Sequence, residues 1–214
     1  MNNFLAIDTS NEYLTVIAQK GGRAETVFEP DGAMQHSVRL MDAVETALSR
    51  AGLAPRECDF FAAVTGPGSF TGIRIGISAV KGFCAALGKP ALGVTTFQTL
   101  AYNAEAKALA VVPAGRGGFY ACGFAPDGRV LLDACTVGEE ELRALAREYA
   151  VYSYAELPVP RRRSDPAAGL LAAARAAREG DFGEIGALYV KKSQAERERE
   201  ERARLSGTRT GARP

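Results

Sequence analysis

The sequence predicts an α/β protein of two similar lobes facing each other across a cleft, and three observations carry that expectation. The order strand, strand, strand, helix, strand, helix occurs twice at a spacing of about 105 residues, as an architectural duplication would produce. The composition, 47% hydrophobic and 24% charged over 214 residues, is that of a globular chain with a real core. One helix is apolar on two adjacent faces, more than a single sheet can cover.

Phe4 to Asp8, Leu14 to Lys20 and Arg23 to Pro30 read as three antiparallel strands, with Gly21-Gly22 supplying the positive φ of a tight hairpin. Met34, Val38, Met41, Val44 and Leu48 recur at helical spacing, so a helix is expected from about Gln35 to Ala51, ended by Gly52. A buried strand, Phe60 to Thr65, leads through Gly66-Pro67-Gly68-Ser69 into a helix from about Thr71 to Leu87, stopped by Gly88 and Pro90. A strand, Ala91 to Thr95, and a short helix to about Glu105 close the first lobe, residues 1–106.

The second lobe, residues 107–190, opens with strands near Ala108 to Pro113, Phe119 to Phe124 and Val130 to Cys135, turned by glycines 115–118 and by Asp127-Gly128. A helix from Gly138 to Ala150, a strand from Val151 to Tyr154, a Pro- and Arg-rich loop from Leu157 to Pro166 and an Ala-rich helix from Ala167 to Glu179 follow. Residues 191–214 carry 8 basic and 4 acidic side chains and almost nothing apolar, so they read as a solvated helix that frays into disorder, a contact with RNA phosphates being the sharper alternative.

Composition also excludes chemistry. With 26 basic against 25 acidic residues, no overall field pulls the chain toward nucleic acid or anionic membrane. The start lacks the basic, apolar character of a signal peptide, and no stretch approaches the ~18 apolar residues of a membrane span. A cytoplasmic protein is the expectation. Cys58, Cys84, Cys122 and Cys135 contain no Cys-x-x-Cys pair and read as reduced core thiols. His36 is the one histidine; it reads as a helix-start residue, and neither a zinc cluster nor a Ser-His-Asp triad can be built around it.

Two stretches retain functional weight. Glycines around a proline at a strand-to-helix turn leave amides at a helix N-terminus, so Gly66, Gly68 and Ser69 are candidates for an anion, although the loop lacks both the Walker Gly-Lys-Ser/Thr and the third glycine of the dinucleotide pattern. Asp8 and Ser10 end the first strand, where two-lobed ATPases and sugar kinases place a carboxylate for Mg-phosphate. The bland alternatives are a rigid turn and an Asx turn. In the helix after the loop, Gly72, Gly76, Ala79 and Phe83 form one ridge and Ile73, Ile77, Val80 and Cys84 the next. One ridge serves the sheet, and the other is expected to meet a partner, the alternative being cover by the chain's own second lobe.

Leu5-Ala6-Ile7-Asp8-Thr9-Ser10, the run Val64-Thr65-Gly66-Pro67-Gly68-Ser69-Phe70-Thr71-Gly72-Ile73-Arg74-Ile75-Gly76 with Lys81-Gly82, the helix bearing His36, Arg39 and Leu40, and Leu188-Tyr189-Val190 before Ser193-Gln194-Ala195-Glu196 resemble the TsaB (YeaZ) family. The resemblance is strong over residues 1–100 and patchy beyond. It implies an actin-like, Hsp70-like (ASKHA, RNase H-like) two-lobed fold. It further implies a non-catalytic, cofactor-free subunit of the complex that installs threonylcarbamoyl on the tRNA adenosine beside the anticodon. The catalytic partner, TsaD, carries a His-x-x-x-His metal motif that a chain with one histidine cannot supply. The resemblance implies docking on TsaD through the first-lobe helices, with the ATPase TsaE at that junction, self-pairing through the same surface, and tRNA met through the complex.

On this basis His36, Arg39, Leu40, Gly72, Ile73, Gly76, Ile77, Val80 and Phe83 are the expected interface. Gly76→Arg or Val80→Asp should then abolish docking in a folded monomer. One departure weakens any nucleotide role: Pro113-Ala114-Gly115 stands where many relatives carry Asp-Ala-Arg. The competing reading is an independent ATPase or small-molecule kinase using Asp8 and the Gly66 to Ser69 loop, with weak nucleotide binding.

Overall fold

The computed structural model describes residues 2–30, 35–115 and 117–190, so the basic tail and Met34 lie outside the described residues. Ten strands and five helices follow in order: β1 (Phe4–Asp8), β2 (Leu14–Lys20), β3 (Arg23–Glu29), α1 (His36–Ala51), β4 (Phe60–Val64), α2 (Phe70–Leu87), β5 (Ala91–Val94), α3 (Thr96–Ala101), β6 (Ala108–Gly115), β7 (Gly118–Phe124), β8 (Val130–Val137), α4 (Glu139–Leu145), β9 (Ala150–Ser153), β10 (Arg162–Arg163) and α5 (Pro166–Ala176). Gly21 and Gly22 turn β2 into β3 at φ 58° and 87°, and Gly52 and Gly88 end α1 and α2 in the left-handed region.

Duplication is visible in the sheets. The first runs β3-β2-β1-β4-β5 and the second, read from the matching side, β8-β7-β6-β9-β10. In each, the first three strands are antiparallel neighbours and the last two are added parallel. The central β1 is buried at all five positions, as a strand covered on both faces must be.

The second lobe departs from the sequence reading in three places, one being that the Ala-rich helix expected to reach Glu179 ends at Ala176. The helix expected to reach Ala150 ends at Leu145, because the Ala150 N–H already pairs with Lys107 O at 2.9 Å to start β9. The Arg-rich loop contains β10, whose Arg162 and Arg163 pair with Tyr152 and Ser153. The Ala-rich helix therefore follows the fifth strand of its sheet and corresponds to α3, while α2 has no counterpart.

Packing crosses the 106/107 boundary. Leu170 and Ala174 of α5 pack on Phe4, Ala6, Phe60 and Val64 of the first sheet, whereas Phe97 and Leu100 of α3 pack on Ala108, Ala110 and Phe124 of the second. The two helices touch where they cross: a Cβ on Gly169 would lie 1.9 Å from Thr99 O, so the crossing demands glycine. The layers run α1 and α2, first sheet, α3 with α5, second sheet, α4. Helix α2, expected to fall short of a membrane-spanning length of apolar chain, is the one helix among the described residues long and apolar enough to cross a membrane by length and composition. Here it lays Ile73, Ile77 and Val80 on the first sheet.

Candidate functional site

At the end of β1 the backbone turns sharply, and Asp8 Oδ1 accepts from Ser10 N–H at 2.8 Å and Ser10 Oγ–H at 2.6 Å. This is the Asx turn weighed above. Asp8 is 1% exposed, and its Oδ2 has no hydrogen-bond partner among the described residues. Burial holds its carboxyl above the ordinary range, opposed by the Ser10 hydrogen bonds and the nearby Tyr13 hydroxyl.

The glycine loop is folded onto this turn. A Cβ at Gly68 would lie 2.1 Å from Ser10 O, and one at Gly72 1.9 Å from Thr9 O. Ser69 N–H donates to Ser10 O at 2.6 Å, Thr9 Oγ1–H to Gly72 O at 2.7 Å, and Thr96 Oγ1–H to Pro67 O at 2.8 Å. Ser69 then caps α2 by accepting the Gly72 N–H at 3.2 Å. Gly66, at φ 103° with a cis peptide to Pro67, has Leu188 O against its Cβ position, and Leu188 N–H donates to Thr65 O at 2.7 Å. The loop's glycines at 66, 68 and 72 admit the neighbouring backbone carbonyls of Leu188, Ser10 and Thr9.

Across the lobes, the Tyr154 hydroxyl donates to Asn11 Oδ1, and Asn11 Nδ2 donates to Ser10 Oγ at 2.8 Å and Tyr13 OH at 2.9 Å. The rings of Tyr13 and Tyr154 meet edge to face with centroids 5.9 Å apart. Burial and the Asp8 carboxyl push both phenols above their ordinary range. A cleft of about 130 Å³ lies beside Pro67, Tyr120 and Leu188. Asp8, Ser10 and Gly66 are buried within this network, Gly68 is half-buried, and Ser69 alone of the nucleotide candidates is exposed. Asn11, Tyr13 and Tyr154 were not among those candidates: a contact 143 residues apart leaves no signal in spacing.

Burial in the single chain divides the expected interface residues. Leu40, Gly72, Ile73, Gly76, Ile77 and Val80 pack on this chain's own first sheet and the turn after β1, and His36 is buried at the head of α1, with Val80 0% and Ile73 1% exposed. A Cβ at Gly76 would meet Thr9 Oγ1 at 2.6 Å. Gly76→Arg and Val80→Asp would therefore break the core rather than report on docking. Arg39 is exposed and paired with Glu29 at 2.9 Å, and Phe83 is half-buried, stacked on Phe61. Of the large apolar side chains, α1 exposes Val38 at 75% and Met41 at 53% and α2 exposes Phe70 at 50%, and Met41 lines a groove of about 430 Å³ with Leu48, Pro55 and Phe83. The helical stripe read from Met34 is thus split: Val44 and Leu48 turn inward and Val38 and Met41 outward. Both groups lie within the rotation of one amphipathic helix, so periodicity could not separate them.

His36 begins α1, and burial lowers its pKa. No group of three potential metal ligands exists among the described residues. All four cysteines are free, with burial pushing Cys58 up to about 12 and Cys122 up to about 11.

The family model described as TsaD, tRNA N6-adenosine threonylcarbamoyltransferase, matches residues 14–174. The tRNA threonylcarbamoyladenosine biosynthesis protein TsaB of Escherichia coli K12 is 33% identical over 121 residues, covering 54% of this chain and 52% of that protein. The Bacillus subtilis 168 protein of the same name is 35% identical over 99 residues, covering 46% and 43%. The chain spans about half the length of the curated relatives it matches. Among solved structures, YeaZ from Pseudomonas aeruginosa superimposes with a TM-score of 0.73 at 26% identity, over 88% of this chain and 100% of that one.

Proposed function

This chain belongs to the TsaB (YeaZ) family, within the TsaD family model, and on that premise we propose that it is a non-catalytic scaffold subunit of tRNA threonylcarbamoyladenosine biosynthesis. It dimerises with TsaD through α1 and α2 and recruits the ATPase TsaE to the junction. In isolation the same surface pairs two copies of the chain, and tRNA is met through the complex.

The observation that carries this reading is the exposed apolar face of α1. Val38 and Met41 project from a helix whose opposite side is already packed on the first sheet, next to a groove bounded by α2. A contiguous exposed apolar patch marks an interaction site where a single exposed side chain does not, and an interface of about 800 Å² per partner is the ordinary scale for specific association. A subunit without chemistry of its own is supported by the sequence, whose one histidine cannot form the partner's metal motif.

Independence from a bound nucleotide belongs to the same reading. Its support is that Ser69 N–H, Asp8 Oδ1 and the space beside Gly68 and Gly72 are engaged by Ser10 and Thr9. The β6–β7 hairpin, Pro113-Ala114-Gly115 onward, offers no facing carboxylate.

Size-exclusion chromatography with light scattering on this chain mixed with TsaD of the same organism tests the proposal. A heterodimer that Val38→Asp with Met41→Asp dissolves, while the variant keeps its circular dichroism and melting temperature, is the expected result. No association with or without Mg-ATP overturns it. Tight Mg-ATP binding lost in Asp8→Asn would establish the kinase reading instead.

A further inference from the structure

The Arg-rich segment of the second lobe is not used by the docking surface, yet it concentrates charge. Residues 157–178 hold five arginines and a single aspartate in a chain whose net charge is +1. Asp165 is engaged at the head of α5, where its Oδ1 accepts from Ala167 and Ala168 N–H at 2.9 and 3.1 Å. Arg161 is paired with Glu156. The other four, Arg162, Arg163, Arg175 and Arg178, have no carboxylate within 4.0 Å among the described residues.

Two of these four are oriented by neutral acceptors. Arg162 Nη1 donates to Tyr152 OH at 3.0 Å, its guanidinium 5.7 Å from that ring. Arg175 Nε donates to Gln19 Oε1 at 2.7 Å and its Nη2 to Gly22 O at 2.9 Å, which ties α5 to the β2–β3 hairpin. A neutral acceptor fixes a guanidinium without cancelling its charge, so the field of these arginines stays directed at solvent. Arg163 and Arg178 are exposed. Nine helical residues, 166–174, lie between the two pairs and span roughly 14 Å, more than one phosphate can span. Between them the exposed or half-exposed positions of α5 include Ala172 and Ala176, which leave room for close approach. Arginine on β10 would also guard a free sheet edge, but that role does not extend to Arg175 on the helix or to Arg178 just beyond its end.

We propose that the β10–α5 unit, through Arg162, Arg163, Arg175 and Arg178, is a direct contact for the phosphate backbone of RNA. The choice of RNA over other polyanions rests on the tRNA-modification reading above. Helix α5 covers the face of the first sheet opposite α1 and α2, so a partner on the docking helices leaves this surface open. Glu179 and Asp181 bound the patch beyond Arg178.

The experiment is fluorescence anisotropy of a labelled unmodified tRNA transcript titrated with the full chain across a salt series. Each lost phosphate contact lowers the slope of log K against log salt by about 0.7 to 0.9. Arg163→Gln with Arg178→Gln is expected to lower it by about 1.5, and Arg163→Lys with Arg178→Lys to leave it near the parent value. An unchanged slope in the glutamine variant overturns the proposal. So does transfer of the whole effect to glutamine substitutions at Arg197, Arg199, Arg202 and Arg204 of the tail. Loss of binding to phosphatidylserine vesicles with tRNA binding intact overturns it in favour of a lipid surface. Light scattering with TsaD on the same variants separates the readings: failure to pair with TsaD beside intact, arginine-dependent tRNA binding removes the docking reading alone.

Discussion

Replacing Gly72 with alanine sets helix propensity against tertiary packing within one residue. Propensity favours alanine over glycine inside a helix by about 1 kcal/mol. Packing opposes it, because the new Cβ would stand 1.9 Å from Thr9 O and ordinary contact begins at 3.4 Å. Helix α2 must retreat from the end of β1 by roughly 1.5 Å, the difference between those distances. That displacement breaks Thr9 Oγ1–H to Gly72 O and strains Ser69 N–H to Ser10 O, two hydrogen bonds at the head of the helix. Unsatisfied buried groups cost about 1 to 3 kcal/mol each, so the variant should lose about 3 kcal/mol net. Gly82 in the same helix is exposed with nothing within 4 Å of its Cβ position, and Gly82→Ala should gain up to about 1 kcal/mol. Urea denaturation of the two variants against the parent separates them by about 4 kcal/mol, and melting temperatures move in opposite directions at about 2 to 4 °C per kcal/mol. Equal or same-signed changes would refute the claim that the Asp8 turn and the glycine loop are packed to contact.

Tyr154→Phe keeps the ring against Tyr13 and removes the hydroxyl on Asn11, which should cost about 1 to 2 kcal/mol and speed amide exchange near residues 9–13 and 150–156; unaltered exchange would deny that this contact joins the lobes. Because the raised pKa of Asp8 means that the folded state holds its proton more tightly than the unfolded chain, stability from this group is whole below the ordinary carboxylate pKa and falls as pH rises through the raised value. Asp8→Asn retains the acceptor used by Ser10 and should gain on the parent from acid to neutral pH in urea midpoints, and a pH-independent difference would contradict the burial argument. Asp165→Ala removes the side-chain cap of α5 and should cost about 1 kcal/mol by the same denaturation measurement, a loss within error being the refuting result.

The elements were legible because their signals are local. Gly21-Gly22, Gly52 and Gly88 are needed at positive φ wherever the rest of the chain lies, and the runs Phe4 to Asp8 and Phe60 to Val64 are too apolar and too short for anything but buried strands. The two-residue β10 was not legible, since consecutive arginines carry no strand pattern and pair only because β9 lies beside them. The Asx turn at Asp8 could be weighed from three residues, whereas the engagement of the glycine loop by Thr9 and Ser10 depends on contacts about 60 residues apart.

The sequence by itself determined the duplicated α/β order, the family and the absence of a histidine pair for metal chemistry, because each depends on residue identity and near neighbours. Tertiary structure alone decided which face of each helix is spent. It turned Ile73, Ile77 and Val80 inward and left Val38 and Met41 outward, and it laid α3 and α5 on each other's sheets. A helix's periodicity fixes which residues share a face, but its rotation and its partner are set by the surface it packs against, and that surface is assembled from distant parts of the chain.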